Sequence, residues 1–164
     1  MERKLFVIRH GKSSWEHLVD DIDRPLIERG IKGAYLVAER LLKAGLVPER
    51  AISSPAVRAL HTAEIVTRTL GMEPGSLEIR KELYLADLKD ILKLIAGTDD
   101  RLASLAIFGH NPGFTDLANF LMKDRIDNLP TAGVLVVTFR AERWKDLDRQ
   151  KVSEVYFDFP KNQQ

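Results

Sequence analysis

The sequence contains no cysteine. Disulfide bonds, thiolate metal sites and a cysteine nucleophile are therefore excluded. Net charge is almost absent as well: 25 Lys and Arg stand against 24 Asp and Glu, a formal +1 at pH 7. A chain so balanced has no bulk electrostatic attraction to nucleic acid or to a membrane, although local patches are still permitted. Long apolar runs are missing too. The stretch Leu5-Phe6-Val7-Ile8 is far shorter than a signal-peptide core or the ~20 residues that a membrane-spanning helix needs. No repeat, linker or low-complexity tract interrupts the chain, and only Lys161 to Gln164 read as a frayed tail. The expectation is one domain spanning residues 1–164, large enough to bury a core without staples, in a cytoplasmic protein.

What the chain does contain is an alternation of short β-branched runs and helical periodicities. Lys4 to Ile8, Arg50 to Ser53, Leu105 to Phe108, Val134 to Phe139 and Val152 to Phe159 read as strands, with Leu77 to Arg80 as an edge strand. In the last of the main strands Val155, Phe157 and Phe159 alternate with Glu154, Tyr156 and Asp158, which predicts one wet face. Between the strands, Ile31, Ala34, Tyr35, Ala38, Leu41 and Leu42 mark one helix face, stopped near Gly45 and Pro48. Ala59, Ala63, Val66 and Leu70 mark a second helix, with Pro55 suited to its first turn. Asp87 caps a third helix carrying Leu88, Ile91, Leu92 and Ile95 and closed by Gly97; a short fourth follows the Pro112-Gly113 turn, with Leu117, Ala118 and Leu121. Such alternation predicts an α/β fold with a largely parallel sheet covered by helices.

In an open α/β sheet the ligand crevice lies beyond the carboxyl ends of the strands. Three segments stand there: Arg9-His10-Gly11-Lys12-Ser13, Ser53-Ser54-Pro55-Ala56-Val57-Arg58, and Gly109-His110-Asn111-Pro112-Gly113. The fold thus predicts that two histidines, His10 and His110, converge with two arginines, Arg9 and Arg58. Guanidinium forks match phosphoryl oxygens bidentately and hold their charge. A neutral imidazole can attack phosphorus and form a covalent intermediate. Fixed donors around the equatorial oxygens then supply the main catalytic effect, with no metal required. Taken alone, each segment has a bland reading as a strand end, a turn or a solvated helix start; their joint occurrence is what carries the inference. His17 and His61 have no such context and read as loop and helix-surface residues.

Competing motifs fail. Gly11-Lys12-Ser13 resembles the end of a phosphate-binding P-loop, but Phe6 stands where its earlier glycine is needed. Trp15 stands where a nucleophile elbow requires glycine, and no histidine pair has metal-ligand spacing.

Val7-Ile8-Arg9-His10-Gly11-Lys12-Ser13 resembles the Arg-His-Gly signature of the histidine phosphatase (phosphoglycerate-mutase-like) superfamily. Several further stretches resemble its small SixA-type phosphohistidine phosphatases. They are His10 to Glu16, Asp23-Arg24-Pro25-Leu26 with Glu28-Arg29-Gly30, Ser53-Ser54-Pro55 leading to Arg58, Thr62-Ala63-Glu64, Gly109 to Gly113, and Thr131-Ala132-Gly133. The resemblance implies a three-layer α/β/α sandwich with no large helical insertion over the site, and hence an open pocket. It implies that His10 is the phosphorylated nucleophile, that Arg9 and Arg58 bind phosphoryl oxygens, that His110 donates to the phosphoryl group and that Ser13 adds a contact. No cofactor or metal is expected. The expected substrate is the phosphohistidine of a histidine-containing phosphotransfer domain; a small phosphoester such as a sugar phosphate or nucleotide, or an idle phosphate-binding module, are the alternatives. Two departures stand out. Glu16 replaces the asparagine of mutase-type members, which argues against mutase activity. Glu82 falls roughly where the superfamily carries its general acid, in a poor local motif that suits a surface residue equally well.

Overall fold

The computed structural model describes residues 1–16 and 18–162; the reading of His17 and of the last two tail residues lies outside them. Six strands form one mixed sheet: β1 (Glu2–Arg9), β2 (Arg50–Ser53), β3 (Leu77–Ile79), β4 (Ser104–Gly109), β5 (Val134–Arg140) and β6 (Val152–Asp158), in the order β3-β2-β4-β1-β5-β6. Four helices cover it: α1 (Glu28–Lys43), α2 (Val57–Thr69), α3 (Leu88–Ala96) and α4 (Gly113–Leu121). Pairings β3·β2, β2·β4 and β4·β1 are parallel, while β1·β5 and β5·β6 are antiparallel. The mostly parallel sheet predicted from the alternation is thus confined to the first four strands of the ladder. No α-helix separates β5 from β6, only two 3-10 turns at Trp144–Asp146 and Arg149–Lys151, and a connection that short returns the strand antiparallel.

Side chains alternate across a strand, so the central strands feed two cores. Leu5 and Val7 of β1, with Leu105 and Ile107 of β4, pack against Ile91, Ile95, Leu117 and Leu121 of α3 and α4. Phe6 and Ile8, with Ala106 and Phe108, pack against Val37, Leu41, Ala63 and Val66 of α1 and α2. Three layers follow directly. Each fully buried Leu, Ile, Val or Phe contributes roughly 1.5–3 kcal/mol relative to exposure.

Several local expectations hold. β2 has the bounds read from the sequence, β3 is the edge strand, and the Asp87 carboxylate accepts the Asp90 N–H at the start of α3. Others are corrected. On α1 the buried face runs through Gly33, Ala34, Val37, Ala38 and Leu41, while Tyr35 and Leu42 are exposed. Close packing over small residues turned the helix by part of a turn from the large-side-chain stripe. Pro55 precedes α2 rather than entering its first turn. In β6, Val155 faces solvent and Asp158 is buried, because Arg40 of α1 reaches it at 3.3 Å. A buried ion pair outweighs hydrophobic alternation there.

Because β1, β2 and β4 run the same way, their carboxyl ends share one edge of the sheet. Among the described residues no helix is long and apolar enough to cross a membrane.

Candidate active site

The loop after β1 is pinned by backbone contacts that need glycine. A Cβ on Gly11 would stand 2.8 Å from the Gly30 carbonyl oxygen, and one on Gly30 would stand 2.1 Å from that of Lys12. The first turn of α1 therefore lies directly on the Arg9-to-Ser13 loop. The Gly11 N–H donates to Thr62 Oγ1 of α2 at 2.9 Å, tying a third element to it. The His10 N–H donates to the Gly109 carbonyl at 3.1 Å, so the loops after β1 and β4 are stitched together.

That stitching brings the predicted residues together. His10, Arg58 and His110 are 7%, 2% and 2% exposed, and the two imidazole centroids lie 5.3 Å apart. Arg9 lies close enough to Arg58 for each charge to be felt by the other. His10 Nδ1 is 2.7 Å from the Gly11 carbonyl oxygen, which can only accept, so Nδ1 carries the proton. The free lone pair of the neutral ring is then on Nε2. His110 Nε2 lies 2.8 Å from Ser54 Oγ, and its Nδ1 is buried without a partner. With the Ser54 hydroxyl donating to Nε2, the His110 proton sits on Nδ1 and is available to a ligand.

Among the described residues, the buried side-chain nitrogen and oxygen atoms with no hydrogen-bond partner are Arg9 Nε, Arg58 Nε and His110 Nδ1. All three belong to the set read from the sequence. Each such orphan costs roughly 1–3 kcal/mol, so their concentration in one cluster marks a site built to receive acceptors.

Burial holds the His10 imidazole down to about 4, helped by the charges of Arg9, Arg58 and Arg24 and opposed by the Gly11 carbonyl. Burial, then His10 and Arg58, hold His110 down to about 3. Arg9 is also lowered, by burial first and Arg58 second. Both imidazoles are therefore neutral near pH 7, as a nucleophile requires. Unfolded, they would titrate near 6.5. Between about pH 6.5 and 4 the unfolded chain binds protons that the folded one does not, so stability falls as pH falls. We expect a loss on the order of 3 kcal/mol from His10 alone on going from pH 7.5 to 4. Urea midpoints across that range measure it; a midpoint flat from pH 7 to 4.5 contradicts the account.

Sequence reading missed the network that holds Arg58. Asp21, in a 3-10 turn at Asp21–Asp23, accepts from Arg58 Nη1 through its carbonyl (2.7 Å) and from Nη2 through Oδ2 (3.0 Å). Arg24 Nε pairs with Asp21 Oδ1 at 3.1 Å, and its Nη1 donates to Ser13 Oγ at 2.9 Å. The Arg24 guanidinium lies 3.5 Å above the Trp15 ring. The Tyr84 hydroxyl donates to Asp21 Oδ2 at 2.5 Å, and the Tyr84 ring stands edge-on to His110 with centroids 5.5 Å apart. Hydrogen bonds from Tyr84, then Arg58 and Arg24, hold the Asp21 carboxyl down to about 2. Arg24 was present in the Asp23-to-Leu26 motif, but nothing in sequence tied it to Asp21 and Ser13.

Glu82 is exposed and pairs with Arg80 at 2.5 Å, on the stretch between β3 and α3. Glu16 is exposed as well, and His61 lies half-buried on α2. Among the described residues no three His, Asp or Glu side chains gather as metal ligands.

Two buried imidazoles and a ring of guanidinium groups at the sheet edge define a site for phosphoryl chemistry. The model of the histidine phosphatase superfamily (branch 1) matches residues 5–98, and the chain belongs to that superfamily. An uncharacterised protein of Picosynechococcus sp. is 33% identical over 85% of this chain and 87% of its own length. Among solved structures, the putative phosphohistidine phosphatase SixA from Agrobacterium tumefaciens superposes with a TM-score of 0.75 at 25% identity, covering 82% of this chain and 90% of its own. The protein histidine phosphatase SixA complexed with tungstate gives 0.74 at 26% identity over 96% and 97%.

Proposed function

We propose that this protein is a metal-independent phosphatase that removes phosphate from protein phosphohistidine, of the kind carried by histidine phosphotransfer domains, through a covalent phosphohistidine on its own His10. The observation that carries the reading is the concentration of unpaired buried donors on Arg9, Arg58 and His110 around a neutral imidazole. His10 Nε2 attacks phosphorus as the bond to the substrate's imidazole nitrogen breaks. Arg9, Arg58 and His110 Nδ1 donate to the phosphoryl oxygens while charge spreads over them. Water then attacks phospho-His10 and inorganic phosphate leaves.

The leaving group favours phosphohistidine over a phosphoester. An alkoxide needs a positioned acid, worth about 10²–10⁴-fold. Among the described residues, two carboxyl groups that could serve are unavailable as that acid: Glu82 is engaged with Arg80, and Asp21 is held ionised. An imidazole with a free-ring pKa of about 6.5 accepts its own proton before cleavage.

The test compares kcat/KM for a phosphorylated phosphotransfer domain with values for small phosphoesters, in wild type and Glu82→Gln, with and without EDTA. Phosphohistidine should be preferred, EDTA should have no effect, and Glu82→Gln should change phosphohistidine turnover less than about threefold. A loss of a hundredfold in the variant refutes the acid-free step. Preference for a sugar phosphate or nucleotide makes the small-phosphoester reading the better one, and EDTA-sensitive activity restored by Mg²⁺ counts against the arginines as the source of charge.

A further inference from the structure

Beside the phosphoryl site lies a groove of about 500 Å³ that shares Arg9 with it and whose other lining residues the mechanism does not use. Lys12 from the loop after β1, Arg29 from the first turn of α1 and Lys161 from the segment after β6 complete its cationic walls, over a floor that includes Ala132 and Pro160. Among the described residues no carboxylate lines it. Glu28, next in sequence to Arg29, is turned to Lys32 at 3.3 Å. In a chain whose formal net charge is +1, this is a local concentration of one sign placed directly against the reaction centre.

We propose that the groove binds an acidic segment of the phosphoprotein substrate, running away from the phosphohistidine. The proposal rests on the reading of His10 chemistry above. The volume exceeds what a single phosphoryl group fills and suits a few residues of chain. The cations come from three separate segments and are exposed, so they present a strip of charge rather than a tight cradle. Lysine offers a mobile point charge, suited to carboxylates spaced along a chain more than to one fixed phosphate. The floor accepts the methylene stems of Asp and Glu side chains. Complementary charge of this kind steers encounter and selects partners, and it is screened by salt.

The experiment uses four probes: a phosphohistidine peptide with Asp and Glu flanking the phosphorylated residue, the same peptide with Ser and Gln in those positions, free phosphohistidine, and a small bisphosphate. Wild type is compared with Arg29→Ala/Lys161→Ala and Arg29→Glu/Lys161→Glu. We expect the acidic peptide to be favoured roughly tenfold in kcat/KM at low salt, as exposed ion pairs allow. The preference should fall below threefold in the alanine pair and in 0.5 M NaCl, and should invert in the charge-reversed pair. Free phosphohistidine should be hydrolysed equally by all three proteins. Equal rates on both peptides in wild type, or a preference surviving charge reversal, overturn the proposal. A gain from Arg29 and Lys161 for a small bisphosphate but none for the acidic peptide overturns it too. Fluorescence anisotropy with the two unphosphorylated peptides gives a readout independent of turnover. Charge-dependent binding without phosphohistidine hydrolysis sustains the groove while removing the proposed reaction; hydrolysis without acidic preference does the reverse.

Discussion

Replacing His10 by alanine should abolish turnover, with kcat falling at least about 10⁴-fold, the scale on which loss of a covalent nucleophile is felt. The hydrogen bond from Nδ1 to the Gly11 carbonyl fixes the tautomer, and burial holds the ring's pKa down to about 4, so Nε2 is a nucleophile at every pH above 5. Wild type quenched within a turnover should carry phosphate that survives alkali and is released by acid, as a phosphoramidate does. His10→Ala should carry none. His110→Ala retains Nε2 of His10 and should still be labelled, more slowly. Removing a 7%-exposed ring leaves a cavity, so the urea midpoint is measured alongside; a folded His10→Ala protein with wild-type activity would falsify the covalent mechanism.

How much of this was legible in the sequence depends on the range of the interactions involved. The residues at strand ends were readable because the short continuous apolar runs of β1 and β4, buried on both faces, and the glycines that follow at Gly11 and Gly109 are local signals, and a parallel sheet then forces their ends together. The Asp87 cap was readable for the same reason. The clamp on Arg58 was not. Asp21 and Tyr84 are 63 residues apart and belong to types usually found solvated, so no spacing rule connects them. Arg3 is a similar case. It stands between the charged Glu2 and Lys4, yet it is 1% exposed and donates to the carbonyls of Ala141, Leu102, Asp100 and Glu142. The strand-one pattern hid it, because a buried charge is stable only with partners that lie some hundred residues away in the chain. Asp158 escaped for the same physical reason. Local periodicity describes hydrophobic faces; paired polar burial is set by tertiary partners.

Arg58→Ala should lower kcat/KM by roughly 10²–10³, the usual effect of removing one preorganised donor from a developing oxyanion. Arg58 is the second residue of α2, so its backbone is fixed by the helix start, and its guanidinium is held on one side by the Asp21 carbonyl and carboxylate. That arrangement occupies Nη1 and Nη2 and leaves Nε as a buried donor without a partner. Orientation is thereby set before substrate arrives, and a positioned donor of this kind incurs little reorganisation during the reaction. Arg58→Lys keeps the charge but has a single nitrogen in place of the fork that reaches the Asp21 carbonyl and carboxylate while holding Nε in place, so it should recover only part of the loss. Because Asp21 is exposed enough to rehydrate, and Arg24 and Tyr84 still contact it, the alanine variant should fold. Circular dichroism and the thermal midpoint check that point. Inhibition by orthovanadate, a mimic of the phosphoryl group in transfer, should weaken in step with kcat/KM for both variants. Activity of Arg58→Ala within threefold of wild type, in a folded protein, would show that this guanidinium does not face the phosphoryl group and that Arg9 with His110 carries the charge alone.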